Sequence, residues 1–368
     1  MTSVESIYHV GAHSDVERVS GLSSTAYCLA QYQAEAGHDV RLVLHASPSP
    51  KTLEWSARHR VRLVFAWDLK ADLRSVGRTP IGHLHGSYRP SHLLAIWELA
   101  RAGACLVITG HGSVVPEAIG RSWLSRIKKV PYLAIVEQIR FRKAQALIAS
   151  TPREAESFEP FRRSGQIVEV IPIPAPRLRP TPGAKKCGEI VFLGRFDIEQ
   201  KGLDRLADLA RACPEVDFHL YGLPSEAGAE RFAAFGAKLS SNVTVHAPVS
   251  GEEKQGVLSR ARLLVLPSLW EPFGIVLIEA LLCGTPCLVS PGAFLADTIR
   301  EAGVGFVLPH DPRDDPAYLR AILREEDILA RAAARAPEFA RTRYDPAVIA
   351  EDHIRLYRQA RSSKSAPH

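Results

Sequence analysis

The chain has 368 residues, of which 46% are hydrophobic and 23% charged, and it carries a formal net charge of +6. This length exceeds what one hydrophobic core usually supports, so two domains are expected in an otherwise ordinary globular composition. The positive charge favours anionic ligands but is too small to indicate nucleic acid, and no apolar run reaches the roughly 18 residues that span a bilayer.

The N-terminal residues and the cysteines predict a cytoplasmic protein. Residues 1–5 are polar, so no signal peptide is predicted, and the six cysteines are scattered, several of them in predicted core elements. Their spacing matches neither a redox pair nor a set of metal ligands, which indicates reduced thiols.

The first half of the chain alternates short apolar strands with helices. Strands are predicted at 6–10, 40–44, 61–66, 81–85, 105–109, 146–150 and 168–173, and helices at about 22–36, 91–102 and 116–145. This alternation predicts a parallel sheet with helices on both faces.

A proline-rich linker then separates the second half, which repeats the pattern. Five prolines fall between 172 and 182, and strands are predicted at 189–193, 216–220, 243–247, 263–266, 286–290 and 305–309. Helices are predicted at 202–212, 225–238, 251–260 and 275–283, and a final one at about 346–361. The predicted fold class is α/β, with two doubly wound Rossmann-like domains facing each other across a ligand-binding cleft.

The stretch at 267–282 carries the most chemistry. An apolar strand leads into a loop with Glu271 and Gly274, and then into an apolar helix that contains Glu279. An ionised carboxylate in such a helix needs a strong partner or a ligand. Gly274 lets the backbone approach a ligand closely, and the helix N-terminus after it attracts anions. Two carboxylates that can hold hydroxyls, beside an anion site, predict a sugar nucleotide as the ligand.

A second loop adds cations to this half. Gly194 and Arg195 follow the strand at 189–193, and Lys201 lies beside the next helix start. Two cations and free helix amides suit a diphosphate. The alternative is a solvated loop with two surface cations, but the loop opens the same half that carries Glu271 and Glu279.

Histidines lie on two strands or strand ends of the first half. His111 stands between two glycines after the strand at 105–109, while His83 and His85 alternate on the strand at 81–85. His111 can enter a cleft, or it can be a loop histidine that caps a helix. The three could surround a metal ion, but no carboxylate completes the set and no Asp-x-Asp motif ends a strand, so no metal is predicted.

The basic region 121–143 allows a peripheral contact with an anionic membrane. Its cations accompany Trp123, Leu124 and Ile127 in a predicted helix. Such a surface can lie on anionic lipid at the inner face of the membrane. A solvated helix face is the preferred interpretation. The cations are Arg121, Arg126, Lys128, Lys129, Arg140, Arg142 and Lys143.

The order of these motifs resembles the retaining glycosyltransferases of the GT-B fold in family four, the group one set. The most specific element is Glu271-Pro-Phe-Gly followed by Glu279, the Glu, seven residues, Glu signature. The resemblance covers nearly the whole chain. The other matches are Gly194-Arg195 with Lys201-Gly202, Thr109 to Gly112, Gly21, and Gly37-His38-Asp39-Val40.

The resemblance implies catalytic roles for four residues. Arg195 and Lys201 would neutralise the diphosphate and the charge that develops on it as the glycosidic bond breaks, which requires no metal. Glu271 would hold hydroxyls of the transferred sugar, and His111 would touch that sugar from the opposite domain. Glu279 would accept both ribose hydroxyls.

The resemblance also implies the remaining binding residues. Gly21 would border the acceptor and the phosphate, and Ser20 before it stands where the family often has a second glycine. That departure affects the acceptor loop and not the fold. The other donor-binding residues are Gly194, Phe273, Gly274, Ile275 and Val276.

The implied activity is retaining transfer of a hexosyl group from a nucleotide-sugar to an acceptor hydroxyl, without a cofactor. UDP is preferred over GDP as the donor nucleotide. The acceptor is a lipid-linked saccharide of cell-surface polysaccharide or glycolipid biosynthesis, or a soluble molecule. Residues 1–175 would bind the acceptor and 176–345 the nucleotide-sugar, and the helix in 346–368 would cross back to the first domain.

Four other functions stay open on the sequence. The chain could be an inverting transferase or an epimerase of similar architecture. It could be a non-catalytic sugar-nucleotide-binding subunit, or a peripheral membrane module.

Overall fold

The computed structural model of the protein describes residues 4–17, 21–77, 79–86, 91–119, 132–175, 178–182 and 186–365. The chain divides into two compact units: Met1–Ala175 with Pro346–His368 forms unit 1, and Pro176–Asp345 forms unit 2. Each unit is built on a parallel sheet with helices, so the predicted α/β class with two doubly wound domains is confirmed.

Unit 1 contains a seven-stranded parallel sheet among the residues described. Its strands are β1 (Ser6–Val10), β2 (Asp39–Leu44), β3 (Arg62–Phe65), β4 (Ile81–His85), β5 (Cys105–Thr109), β6 (Ala146–Ala149) and β7 (Ile167–Val170). They are ordered β3-β2-β1-β4-β5-β6-β7. The winding direction reverses between β1 and β4, so the loops after these two strands diverge and leave room for a ligand or a buried side-chain cluster.

Helices cover both faces of this sheet. They are α1 (Gly21–Glu35), α2 (Pro50–His59), α3 (Leu69–Arg74), α4 (Ser91–Arg101), α5 (Gln138–Lys143) and α6 (Pro152–Glu156). Three were not predicted: α2, α3 and α6. The start of α2 follows a recognisable rule, since Ser49 accepts a hydrogen bond from the Thr52 amide and Pro50 occupies the first turn.

Within its described residues, unit 2 contains a six-stranded parallel sheet. Its strands are β8 (Ile190–Leu193), β9 (Phe218–Tyr221), β10 (Val243–His246), β11 (Leu263–Leu266), β12 (Cys287–Val289) and β13 (Gly305–Val307). The order is β10-β9-β8-β11-β12-β13, so the winding direction reverses between β8 and β11. The helices are α7 (Leu203–Ala212), α8 (Ala229–Gly236), α9 (Gly251–Arg260), α10 (Ile275–Leu282), α11 (Ala296–Glu301), α12 (Asp315–Arg324) and α13 (Glu326–Arg343).

The last helix, α14 (Pro346–Ser365), packs on unit 1. Arg361 forms two hydrogen bonds with the buried carboxylate of Glu5, at 2.5 and 3.0 Å. Lys364 donates to the carbonyl oxygen of Gly103 at 2.8 Å. These contacts connect α14 to the residue before β1 and to the turn before β5.

The predicted helix at 116–145 is not one regular α-helix in the residues that the structure describes. There Pro116–Ile119 forms a 3₁₀ turn, Leu133–Glu137 is π-helical and Gln138–Lys143 is α-helical, while residues 120–131 lie outside the described ranges. Most of the predicted basic surface, including every cation from Arg121 to Lys129, lies outside the described residues.

Arg140 does not belong to a membrane-facing surface. Its side chain is 3% exposed, and its guanidinium lies 2.6 Å from the buried carboxylate of Glu137. A charge buried with its partner cannot attract lipid headgroups, whereas Arg142 and Lys143 are exposed. Among the helices of the described ranges, none is both long enough and apolar enough to cross a membrane.

Candidate active site

The ends of β8 and β11 bring the two predicted loops of unit 2 together. These strands are parallel neighbours, so the loops that leave their carboxyl ends emerge at the same edge of the sheet. There the Lys201 ammonium forms an ion pair with Oε2 of Glu271. Both side chains are mostly buried, at 15% and 10% exposed. Two of the predicted catalytic residues, 70 positions apart in sequence, are therefore in direct contact.

Close backbone packing holds the loop of Lys201 in place. Gly202 has φ +64° and is the N-cap residue directly before α7, and a Cβ at this position would lie 2.1 Å from the carbonyl oxygen of Pro267. Only glycine fits a left-handed conformation this close to another backbone. The Lys201 loop thus rests directly on the loop that carries Glu271.

The backbone of Glu271 is anchored on both sides. Its amide donates to the Gly292 carbonyl at 3.1 Å, and its carbonyl accepts from the Phe294 amide at 2.9 Å. Gly274, with φ +72°, then turns the chain into α10. Glu271 is therefore fixed by hydrogen bonds of its backbone and by the ion pair of its carboxylate with Lys201.

Glu279 has a strong partner within the protein. Its Oε1 accepts a hydrogen bond from Nζ of Lys254, on α9, at 2.5 Å. The Glu279 side chain is 8% exposed and the lysine side chain 16% exposed. The sequence predicted that this carboxylate needs a partner or a ligand, but it did not identify Lys254, which belongs to no recognised motif.

Arg195 is not part of either ion pair. Its guanidinium donates to Oε1 of Gln200 at 3.0 Å and lies 3.9 Å from Asp197, with 58% of the side chain exposed. The amide of Gly194 donates to the Tyr221 carbonyl at 3.0 Å, which fixes the start of the loop. Arg195 therefore lies on the predicted loop in an orientation that a ligand can still change.

The start of α10 offers backbone rather than side-chain contacts. Phe273 is buried, with its ring centroid 5.7 Å from that of Tyr344 in an edge-to-face contact. Its side chain cannot also face a ligand. The first amides of a helix have no carbonyl partner within it, so the turn that includes Ile275 and Val276 is suited to an anion.

His111 lies in unit 1, in the loop after β5. It has φ +51°, a left-handed conformation that is uncommon for a residue with a side chain. The next amide, of Gly112, donates to Oε1 of Glu154 at 2.5 Å, and the Ser150 amide donates to Oε2 at 2.7 Å. Burial raises the pKa of Glu154, while these donors oppose the shift. The carboxylate thus holds the loop in its strained conformation.

The His111 ring touches a group of buried histidines that the sequence only partly identified. Nε2 of His111 lies 3.2 Å from Nδ1 of His85, and Nε2 of His85 lies 2.9 Å from Nδ1 of His9. His9, His83 and His85 each place a ring nitrogen within 4.8 Å of the others, which is close enough to hold a metal ion. Each ring also has a hydrogen-bond partner in the protein.

Burial keeps these imidazoles neutral. Desolvation lowers the pKa of His9 and that of His111 to about 4, and it holds the pKa values of His83 and His85 well below the ordinary value.

Of the predicted acceptor loop, Gly21 is the first residue of α1, and Ser20 lies outside the described residues.

Two protein families match the chain in succession. Residues 19–174 match the family described as Glycosyltransferase Family 4, and residues 178–339 match Glycosyl transferases group 1. Phosphatidyl-myo-inositol mannosyltransferase of Mycobacterium leprae is 26% identical over 372 residues, covering 94% of both chains. D-inositol 3-phosphate glycosyltransferase of Nocardia farcinica is 30% identical over 218 residues, covering 53% of this chain and 48% of the relative.

Solved structures share the fold over nearly the full length. Sucrose-phosphate synthase from Thermosynechococcus elongatus has a TM-score of 0.79 at 21% identity, covering 98% of this chain and all of the other. HepE from Anabaena, solved with UDP and glucose, has a TM-score of 0.77 at 15% identity, covering 96% of this chain and all of the other. At these identities the likeness concerns the fold, which is GT-B.

The two family matches together span most of the chain, and they follow the order of its two parallel sheets. Glu271 and Glu279 both fall inside the second match. The chain therefore belongs to the group 1 glycosyltransferases of family 4, and its activity is that of a glycosyltransferase.

Proposed function

We propose that the protein transfers a hexosyl group from a nucleotide-sugar to an acceptor hydroxyl, with retention of anomeric configuration and without a metal ion. The observation that carries this proposal is the pair of buried carboxylate–lysine contacts, Lys201–Glu271 and Lys254–Glu279, beside the N-terminus of α10. Together they would offer cations for phosphate and carboxylates for hydroxyls within unit 2.

Donor binding would exchange the partners of the Lys201–Glu271 pair. Separating two mostly buried charges is costly unless each finds a new partner. A nucleotide-sugar supplies both, since its diphosphate can take Lys201 and its sugar hydroxyls can donate to Glu271. A ligand with only one of these groups would leave the other charge uncompensated, so the pair favours the complete donor.

The same cations would stabilise the leaving group. As the bond between the anomeric carbon and the phosphate oxygen breaks, negative charge grows on the nucleoside diphosphate, and Lys201, Arg195 and the first amides of α10 would face it. The acceptor oxygen bonds to the same face of the anomeric carbon, and its proton passes to the departing phosphate. Preorganised charges of this kind do not require a metal. The role of His111 beside the transferred sugar stays a prediction.

The donor nucleotide is proposed to be UDP, which the HepE structure contains, with GDP as the competitor. The acceptor is proposed to be a lipid-linked or a soluble hydroxyl compound, since the names of the two relatives include a phosphatidyl-linked and a free phosphorylated inositol. A cytoplasmic location and a place in surface polysaccharide or glycolipid synthesis are further parts of the proposal.

A thermal-shift screen of the purified protein against UDP-, GDP-, ADP- and dTDP-sugars identifies the donor. A ligand at 100 times its dissociation constant adds about 2.7 kcal/mol to the stability of the folded state. One nucleotide should therefore raise the melting temperature well above the others. If no nucleotide-sugar shifts it, the donor assignment fails.

Single substitutions test the site. Arg195→Ala, Lys201→Ala and Glu271→Ala should each lower turnover at least about tenfold, which corresponds to about 1.4 kcal/mol of barrier. Arg211→Ala removes an exposed cation on the adjacent helix α7 and should leave turnover unchanged. Near wild-type turnover in all three site variants would refute the assignment. An inverted product, determined by NMR, would refute retention.

A further inference from the structure

The buried histidines of unit 1 belong to one continuous hydrogen-bonded chain that includes helices α1 and α14. Beyond the His111–His85–His9 contacts, Nε2 of His9 lies 2.7 Å from Oε1 of Gln33 on α1. Gln33 Nε2 donates to Oη of Tyr357 on α14 at 3.3 Å. The chain runs through residues that are almost entirely inaccessible to water, since His9 and Gln33 are 0% exposed.

The second part of the chain returns to β4. Oη of Tyr357 lies 2.6 Å from Nδ1 of His83, and Nε2 of His83 lies 2.7 Å from Oγ1 of Thr109 on β5. Six hydrogen bonds thus join His111 to Thr109, two positions before it in sequence, by a path through two helices.

The orientation of the Gln33 amide determines the direction of every bond. Its carbonyl oxygen can only accept, so His9 must donate from Nε2, and a neutral His9 then accepts at Nδ1. His85 must consequently donate from Nε2 and accept at Nδ1. Because Nδ1 of His85 accepts, the ring of His111 must donate to it from Nε2.

The amide nitrogen of Gln33 fixes the direction of the hydrogen bonds from Tyr357 to Thr109 in the same way. The amide nitrogen can only donate, so the Tyr357 hydroxyl accepts from it and donates its own proton to Nδ1 of His83. His83 then donates from Nε2 to Thr109. Each donor in the chain meets one acceptor, with every imidazole neutral.

We infer that this histidine relay, formed by His9, Gln33, His83, His85 and Tyr357, holds His111 in the neutral tautomer that is protonated at Nε2. Its members are positioning residues that act on His111 through one another. The lone pair of His111 then lies on Nδ1, so any hydroxyl that meets this ring nitrogen must donate to it. The importance of this for sugar binding rests on the proposed function, but the relay itself does not.

The relay gives α14 a role beyond packing. Tyr357 is 324 positions from Gln33 and comes from the helix that returns to unit 1 after unit 2 is complete. A chain that lacks α14 would leave the Gln33 amide without this acceptor and free to reverse. The tautomer of His111 would then be set by its immediate surroundings.

Long-range proton–nitrogen NMR of the full-length, nitrogen-15 histidine-labelled protein distinguishes the two neutral tautomers and the cation. At neutral pH, His9, His85 and His111 should show the form protonated at Nε2. His353 provides an internal control with the opposite tautomer, because its Nδ1 lies 2.7 Å from the carbonyl oxygen of Ile349 and must donate to it.

Two matched variants test the coupling. Gln33→Met removes the acceptor of His9, and His111 should then show a mixture of tautomers while His353 keeps its signal. Gln31→Met makes the same chemical change on α1 at a residue whose amide pairs with Glu35 near the surface, and the His111 signal should not change.

Three outcomes would overturn the relay. They are a wild-type His111 protonated at Nδ1 or at both nitrogens, an unchanged His111 tautomer in folded Gln33→Met, and stoichiometric binding of Zn²⁺ that displaces the histidine protons. If Gln33→Met does not fold, the wild-type tautomers alone decide. None of these measurements depends on turnover, so failure of the relay and failure of the proposed transfer reaction are distinguishable.

Discussion

Replacing Lys254 with methionine tests whether Glu279 depends on an internal partner. The substitution keeps the length of the side chain and removes its charge, which leaves a carboxylate that is 8% exposed without the cation 2.5 Å away. Removing one member of a buried ion pair costs roughly 3–5 kcal/mol, because the remaining charge is uncompensated. Since the Lys254 side chain is 16% exposed and water can reach part of the site, the lower end of that range is expected.

The assay is urea and thermal unfolding of the ligand-free protein. A loss of about 3 kcal/mol should lower the melting temperature by roughly 6–12 °C for a unit of this size. Arg211→Met, which breaks an exposed pair with Asp208, is the control and should change stability by no more than about 1 kcal/mol.

A double-mutant cycle separates the ion pair from other effects of the substitution. Glu279→Gln removes the carboxylate charge, so adding Lys254→Met to it should cost much less than Lys254→Met alone. A coupling below about 0.5 kcal/mol, or a Lys254→Met variant as stable as the control, would show that the pair does not hold Glu279.

Three further predictions concern the loop, acid stability and metals. Gly202→Ala should lower both stability and turnover, because its Cβ would lie 2.1 Å from the Pro267 oxygen, and a crystal structure with an unmoved loop would contradict this. Burial lowers the pKa values of His9 and His353 from 6.5 to about 4, so below pH 6.5 the unfolded chain binds protons that the folded chain does not. The free energy of unfolding should therefore fall as the pH drops from 6.5 towards 4, by about 1.4 kcal/mol for each such histidine at pH 5.5. A free energy of unfolding that does not change over this pH range would refute the conclusion that these buried histidines are neutral. Turnover should be unchanged by EDTA, and a loss restored by Mg²⁺ or Mn²⁺ would contradict the proposed metal independence.

The sequence predicts the fold well where hydrophobic patterns are strong. Twelve of the thirteen described strands begin and end within two residues of their predicted positions, because runs such as 263–266 are buried on both faces and are apolar throughout. The exception is β7, which ends at Val170, three residues before its predicted end. The helix α2 was missed although Ser49 and Pro50 mark its start, since its sequence is polar and only Thr52 is buried.

The candidate site is only partly predictable from sequence. Lys201 and Glu271 belong to recognisable motifs at the ends of neighbouring strands, so their meeting follows from the sheet order. Lys254 precedes Glu279 by 25 residues on another helix, and no local pattern marks it as a partner. The relay joins His9 to Gln33 and Tyr357, and such contacts depend on how distant segments pack.

Cleavage of the donor by the wild-type protein and by Glu271→Gln tests the central claim most directly. The assay follows release of the nucleoside diphosphate from the nucleotide-sugar that the thermal-shift screen identifies, with water or an added alcohol as acceptor. The wild-type protein should release it, and folded Glu271→Gln, which still binds the nucleotide, should do so at least about tenfold more slowly. A wild-type protein that binds the donor but never cleaves it, or a variant as fast as wild type, would contradict the claim that Glu271 and Lys201 form the centre of a glycosyl-transfer site.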